Sequence, residues 1–386
     1  MNAPDPHPAS PAPARMGSLD VFRGFVMFLM MAEVLELARV FEAFPESGFW
    51  KTLAFHQDHV KWVGCSLHDL IQPSFSFLVG AALPFSLARR SAEGQPLWRR
   101  TAHAFWRALV LVLLGLFLRS MDSKSTYWTF EDTLSQIGLG YGFLYLLANA
   151  STRIQWAGFG VLMVGYWAFF ALHPLPAGST TFSDHWALNT NAAWAFDVKF
   201  LNWFPRPNGN PFTGNGGGYS TLSFIPTLAT MILGLVAGRV LIGETSAGRK
   251  IRWLVIAGAL SLAGGWLLGA TGLCPVVKRI WTPAWVLWSG GACFLFLAGF
   301  YLVIDHWKLR RWAGVFIIIG MNSIAAYLIA HLFVDFIRGG LVRHLGGEIF
   351  ESPGHAYDTL RLGAAVLFVE ILILWWMHRR KIFLRI

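Results

Sequence analysis

The feature that most constrains this chain is a series of long, almost uncharged apolar blocks, among them residues 108–118, 254–270 and 360–376. Blocks approaching 20 residues match the ~30 Å hydrocarbon core of a bilayer. No water reaches the backbone there, so each block must satisfy its own N–H and C=O groups, as a helix does and an open sheet does not. Composition points the same way. Hydrophobic residues are 55% of the 386 and charged residues 13%, against roughly 25% charged in soluble domains, and mean hydropathy is +0.50. A water-soluble fold cannot hide that much apolar surface.

The chain therefore reads as an all-α, polytopic integral membrane bundle of about ten transmembrane helices. They are expected near residues 19–41, 68–88, 102–119, 133–150, 154–173, 220–242, 252–270, 283–304, 313–336 and 358–377. The N-terminus lacks the basic start and apolar core of a signal peptide, so the first hydrophobic segment should stay as a span. Residues 1–15, rich in Pro and Ala, read as a disordered cytoplasmic N-terminus ahead of one membrane domain over residues 16–386. No repeat is strong enough to suggest the inverted halves of a transporter.

Net charge is +10, with many basic residues at span ends, which is a topology signal and not a nucleic-acid footprint. With cytoplasmic termini, Arg89, Arg90, Arg99, Arg100, Arg153, Arg249, Lys250, Arg252, Arg310 and Arg311 all fall inside. The longer outer loops carry only scattered cations such as Lys51, Lys61 and Arg206. That orientation satisfies the positive-inside rule; the family resemblance set out below implies a bacterial inner membrane as the location.

Cys65, Cys274 and Cys293 are too few for a disulfide framework, although Cys65 and Cys274 share the outer side and could pair. The run Gly214-Asn215-Gly216-Gly217-Gly218 lacks the strand and helix of a nucleotide loop and reads as a flexible loop or lid.

The densest polar stretch is residues 55–69, with His56, Asp58, His59, His68 and Asp69 at the mouth of the second span. Imidazole, with a pKa of ~6.5, can take and return a proton near neutrality. Asp69 could instead cap the helix that begins there. His56 and His59 could hold a metal with His68 or Asp58, but no recognised ligand set is present and no metal is expected.

Four stretches together resemble the heparan-alpha-glucosaminide N-acetyltransferase family of transmembrane acyltransferases and its bacterial relatives. Leu19-Asp20-Val21-Phe22-Arg23-Gly24 resembles its "DxFRG" opening, and residues 59–80 its "HxxWxGxxxxDLxxPxFxFxxG" segment. Residues 275–283 are similar to "PxNKxLWTxS", and Gly320-Met321-Asn322-Ser323 with Tyr327 and His331 to "GMNSIxxYxxxH".

The resemblance implies acetyl transfer from acetyl-CoA to an amino sugar or glycan, with His59 as base or acyl carrier and Asp69 orienting it. Lys278 and Asn322 would steady the thioester oxyanion, with Trp62 and His331 as further support. On the cytoplasmic side Arg23, paired with Asp20, and Arg89 and Arg90 would hold the CoA phosphates. His56 and His68 fall off the family's position.

Glu33, Glu36 and Arg39 make the first helix the candidate lining of a polar channel, with Glu36 and Arg39 spaced to pair. Membrane lipids and a glycan acceptor are the expected partners, and a homodimer is left open. The rival reading is a transporter or channel for a small polar solute, since charged spans also make ion paths.

Overall fold

The computed structural model describes residues 16–207 and 209–384, and every described element is helical apart from one isolated antiparallel bridge. The expected N-terminal segment 1–15 lies outside the described residues.

Eleven helices carry the bundle: α1 (Gly17–Met31), α2 (Ile71–Ala92), α3 (Leu97–Ser120), α4 (Thr133–Ala148), α5 (Thr152–Ala171), α6 (Phe224–Ile242), α7 (Ala247–Ala270), α8 (Pro283–Phe300), α9 (Gly314–Met321), α10 (Ser323–Leu332) and α11 (Asp358–Arg379). Short helices Leu37–Ala43, Gly48–Gln57, Ala192–Phe200 and Val334–Leu345 lie between them.

Among the described residues seven helices are long and apolar enough to cross a bilayer, or eight if α9 and α10 form one broken span. Helix α4, with 16 residues, rises only about 24 Å. Helix α1 has 15 residues before a 3₁₀ turn at Ala32–Leu35. The expected count of about ten is therefore not established by length.

Lipid contact accounts for the outer surface. Leu109, Leu113 and Phe117 on α3, Val161 and Val164 on α5, and Leu260 and Trp266 on α7 are all exposed. Large apolar side chains on that scale would aggregate in water and are at home against acyl chains.

Inside, small residues let helix backbones touch. A Cβ on Gly80 of α2 would sit 1.9 Å from the Met231 carbonyl oxygen, and one on Gly234 of α6 would sit 1.9 Å from that of Phe77. Such crossings replace the hydrophobic drive that lipid does not supply. Gly24 of α1 and Gly320 of α9 are pressed against one another's helix backbones in the same way.

Two expected helices are interrupted. The first span ends at the 3₁₀ turn, and Glu36, at φ +47°, redirects the chain. Glu36 then pairs with Arg338 at 2.8 Å while Arg39 pairs with Glu42 at 3.2 Å, so the expected Glu36–Arg39 pair is not formed. The ninth span breaks by 73° at Asn322. Its amide donates to the Ile382 carbonyl and accepts from the Leu384 N–H, both at 3.0 Å. Those bonds satisfy a backbone C=O and a backbone N–H of the C-terminal segment and tie the break between α9 and α10 to it.

Candidate functional site: a histidine–carboxylate–lysine cluster in a polar cavity

The loop before α2 is built by a reciprocal cap. The Ser66 hydroxyl accepts the Asp69 N–H at 3.2 Å, and Asp69 Oδ2 accepts the Ser66 N–H at 3.0 Å. This is the Ser-x-x-Asp capping box, legible in the sequence as Ser66-Leu67-His68-Asp69. Asp69 thus does cap the helix start, from the N3 position of the box. Oδ2 also accepts the Val60 N–H at 3.2 Å, which draws the preceding loop over the helix end.

That leaves Oδ1 for chemistry. It lies 2.8 Å from His59 Nδ1 and 3.3 Å from Lys278 Nζ. Lys278 arrives 219 residues later in sequence because the two loops are stitched together. Val63 and Val277 form the antiparallel bridge, and the Gly64 N–H donates to the Val276 carbonyl at 3.0 Å. Thr282 holds the lysine loop from within: its hydroxyl donates to the Pro275 carbonyl at 2.6 Å and accepts the Val277 N–H at 3.1 Å.

The tautomer follows from these contacts. An ionised Asp69 can only accept, so Nδ1 carries the proton toward it and Nε2 keeps its lone pair. Lys278 Nζ is 3.0 Å from Nδ1 and 3.4 Å from Nε2. An in-plane position that close to both would collide with Cε1, so the amine sits over the ring face and leaves the Nε2 lone pair open.

Lys278 is 5% exposed. Burial lowers its pKa to about 8, against the pull of the Asp69 carboxylate. Burial also holds His59 below its ordinary value, and Lys278 beside it adds to the effect, although Asp69 opposes both. His59 is therefore a largely neutral imidazole at pH 7, a base in the form that accepts protons.

His59, His68, Lys278 and His331 line one cavity of about 540 Å³ with Met30 and Glu33 from the end of α1, Arg119 from α3, and Glu131 and Asp132 before α4. The expectation that the first helix lines a polar path is met at Glu33. Glu33 Oε1 is 2.5 Å from His68 Nε2. His331 stacks on Tyr327 with ring centroids 4.1 Å apart. Arg119, Glu131 and Glu33's bond to His68 give no sign in sequence spacing, because each reaches the cavity from a different helix end.

The other expected residues lie elsewhere. Trp62 donates to the Trp186 carbonyl at 3.1 Å and packs behind the cluster. Asn322 is committed to the C-terminal segment, at the end of α11 away from the cavity, and does not reach His59. Arg23 lies 3.4 Å from Asp20, Arg89 pairs with Glu93 at 3.8 Å, and Arg90 contacts His103 at 3.1 Å. Arg89 and Arg90 stand in the last turn of α2 and Arg23 in the first half of α1, and none of the three lines the cavity.

His56 Nδ1 accepts the Leu67 N–H at 3.2 Å. No cluster of three or more potential metal ligands occurs among the described residues. Cys65 and Cys274 are free thiols, each pushed by burial up to about 12, and do not pair. The glycine run is tied down instead of loose: Arg279 donates to the Gly217 carbonyl at 2.9 Å, and Asn189 donates to that of Asn215 at 2.8 Å.

Fold and site together define a polytopic helical membrane protein with a histidine–carboxylate–lysine cluster inside a polar cavity. No family model matches the chain. It is a distant relative of heparan-alpha-glucosaminide N-acetyltransferase: 23% identical to the Homo sapiens protein over 426 residues, covering 98% of this chain and 61% of that protein. The Mus musculus protein is 20% identical over 421 residues, covering 96% and 60%. The chain thus spans about three fifths of the length of these relatives.

Proposed function

We propose that this protein is a membrane-embedded acetyltransferase that moves an acetyl group from acetyl-CoA to an amino sugar or other glycan acceptor on the extracytoplasmic side. The observation that carries this reading is the 2.8 Å contact between His59 Nδ1 and Asp69 Oδ1 in the wall of the cavity, with Nε2 open. The relatives' N-acetyltransferase name supports it.

An amine acceptor is mostly an ammonium at neutral pH and has no lone pair until a base removes a proton. His59 Nε2 is that base, and Asp69 holds the ring and stabilises the imidazolium, by the logic of a triad carboxylate. The acceptor nitrogen then bonds to the thioester carbon, the C–S bond breaks, and the departing CoA thiolate takes the second proton of that nitrogen. Lys278, over the ring and next to Asp69, is placed to offset negative charge on the carbonyl oxygen.

Acetyl-CoA is cytoplasmic, so the donor enters from the end of the bundle that carries Arg23 with Asp20, and Arg89 and Arg90, its proposed phosphate contacts. Purified protein given labelled acetyl-CoA and a panel of amino sugars and glycans should transfer label to at least one. Solute flux in liposomes without any transfer would replace this reading with a transporter.

A further inference from the structure

The wall of the cavity carries charge of the opposite sign to the chain. The protein is +10 overall. The lining nevertheless bears five carboxylates, on Glu33, Asp122, Glu131, Asp132 and Asp335, against the two cations of Arg119 and Lys278. Lys278 is already matched by Asp69 at 3.3 Å, and Glu33 is bonded to His68. Arg119 approaches Glu131 at 4.0 Å. Asp122, Asp132 and Asp335 make no ion pair among the described residues. None of this charge serves the donor, whose phosphates are assigned above to Arg23, Arg89 and Arg90.

One of these carboxylates is also short of a partner within the fold. Asp132 is 8% exposed. Its Oδ1 caps α4 by accepting the Leu134 and Ser135 N–H groups at 2.9 and 3.0 Å. Its Oδ2 is buried with no hydrogen-bond partner among the described residues. A buried charged oxygen in that state destabilises the fold until a donor satisfies it. Glu131 beside it is held above its ordinary value by burial, against the pull of Arg119. A cation with N–H groups seated against the pair relieves both strains, whereas a hydroxyl relieves only the first and an anion neither.

A single amine cannot supply that cation, because the nitrogen that attacks the thioester must first give up its charge at His59. We infer that the acceptor carries at least two amino groups: His59 deprotonates the one that reacts, while a second, still an ammonium, is held on Glu131 and Asp132. This rests on the acetyltransferase reading and narrows its acceptor to glycans with two or more free amines. The bonds made and broken are those of the transfer above, and the second amine keeps its protons throughout. The field that draws a polycation into the cavity repels uronate and sulfate groups, so acidic glycans with one amine are poor acceptors.

The test compares three acceptors on the full chain in detergent. They are the disaccharide of glucosamine with both amines free, the same disaccharide with one amine already acetylated, and glucosamine linked to a uronate. From the first to the second, kcat/KM should fall by about 10-fold or more, the usual worth of a hydrogen bond to a charged group. It should fall further for the third. Added salt should narrow the gap between the first two, since screening weakens the ammonium contact. Asp132→Asn, whose amide oxygen still caps α4, and Glu131→Gln should each cut the diamine's advantage to within a few-fold, through KM more than kcat. A purely structural role would not move one acceptor relative to another. If either variant fails to fold, the wild-type acceptor comparison and its salt dependence decide.

Wild-type protein that uses the one-amine and two-amine disaccharides equally well, or that prefers the uronate, would overturn the inference while leaving the acetyltransferase reading intact. So would transfer to hydroxyl groups alone, or folded variants that keep the diamine's full advantage. Wild-type protein that transfers to no acceptor would instead overturn the acetyltransferase reading itself.

Discussion

Asp69 divides its carboxylate between fold and chemistry: Oδ2 closes the capping box with Ser66, and Oδ1 contacts His59 Nδ1 at 2.8 Å. The helix start that places the base is therefore built from the same side chain that fixes its tautomer. Substitutions should separate the two roles. Ser66→Ala removes one side of the box and should cost about 1 kcal/mol of stability, with transfer reduced only modestly. Asp69→Asn keeps the volume but lets the amide donate to Nδ1, which favours the wrong tautomer, and transfer should fall by about 10² to 10⁴. Thermal melts in detergent read alongside transfer rates check the split.

The pH profile should be bell-shaped, since the base must be neutral and Lys278 must be charged. His59 is held below its ordinary value, so the acid limb should lie below pH ~6.5. Activity is lost as pH falls through that limb because the imidazole protonates. The alkaline limb should fall near pH 8, where Lys278 loses its proton. Lys278→Arg should push the alkaline limb upward, because a guanidinium does not titrate there. Lys278→Met should move the acid limb upward by removing the cation that disfavours imidazolium. Rates across pH 5 to 10, fitted for all three proteins, give these shifts their test.

Gly234 has no room for a side chain, since an added Cβ would meet the Phe77 carbonyl oxygen at 1.9 Å. The obstacle is backbone, so α2 and α6 would have to part. Gly234→Ala should destabilise the protein by about 1–3 kcal/mol or more, as overpacking does. Gly160, with nothing within 4 Å of an added Cβ, should accept Ala with little change. Comparative melts of the two variants check the contrast.

Much of this was legible from residues alone. The apolar blocks disclosed a helical membrane protein because lipid leaves the backbone no alternative. Ser66-Leu67-His68-Asp69 carried the capping box in its spacing. What the sequence hid were meetings set by where helices stop. An unbroken first span would carry Glu36 toward Arg39, whereas the turn at Ala32–Leu35 ends α1 with Glu33 against His68 and sends Glu36 to Arg338. Asn322 reads as part of a continuous span, yet the 73° break turns its amide to the C-terminal segment. The family resemblance puts Lys278 in the site, but its position over the His59 ring follows from the bridge at Val63 and Val277, which spacing does not disclose.

Sidedness has its own test. Cytoplasmic termini put the basic loops inside and the His59 loop outside. A single cysteine at exposed Asn210, in a chain freed of its three native cysteines, should react with an impermeant thiol reagent in intact cells. Labelling only after lysis would reverse the topology and the side assigned to the acceptor.

The central claim is that His59 does the chemistry, and His59→Ala tests it most directly. The ring sits at a loop and contributes little packing, with a side chain 34% exposed. The variant should therefore stay folded and bind CoA, while acetyl transfer falls by at least about 10². Transfer measured beside CoA binding and thermal stability decides it: a folded, CoA-binding His59→Ala protein with near-normal turnover would contradict the account.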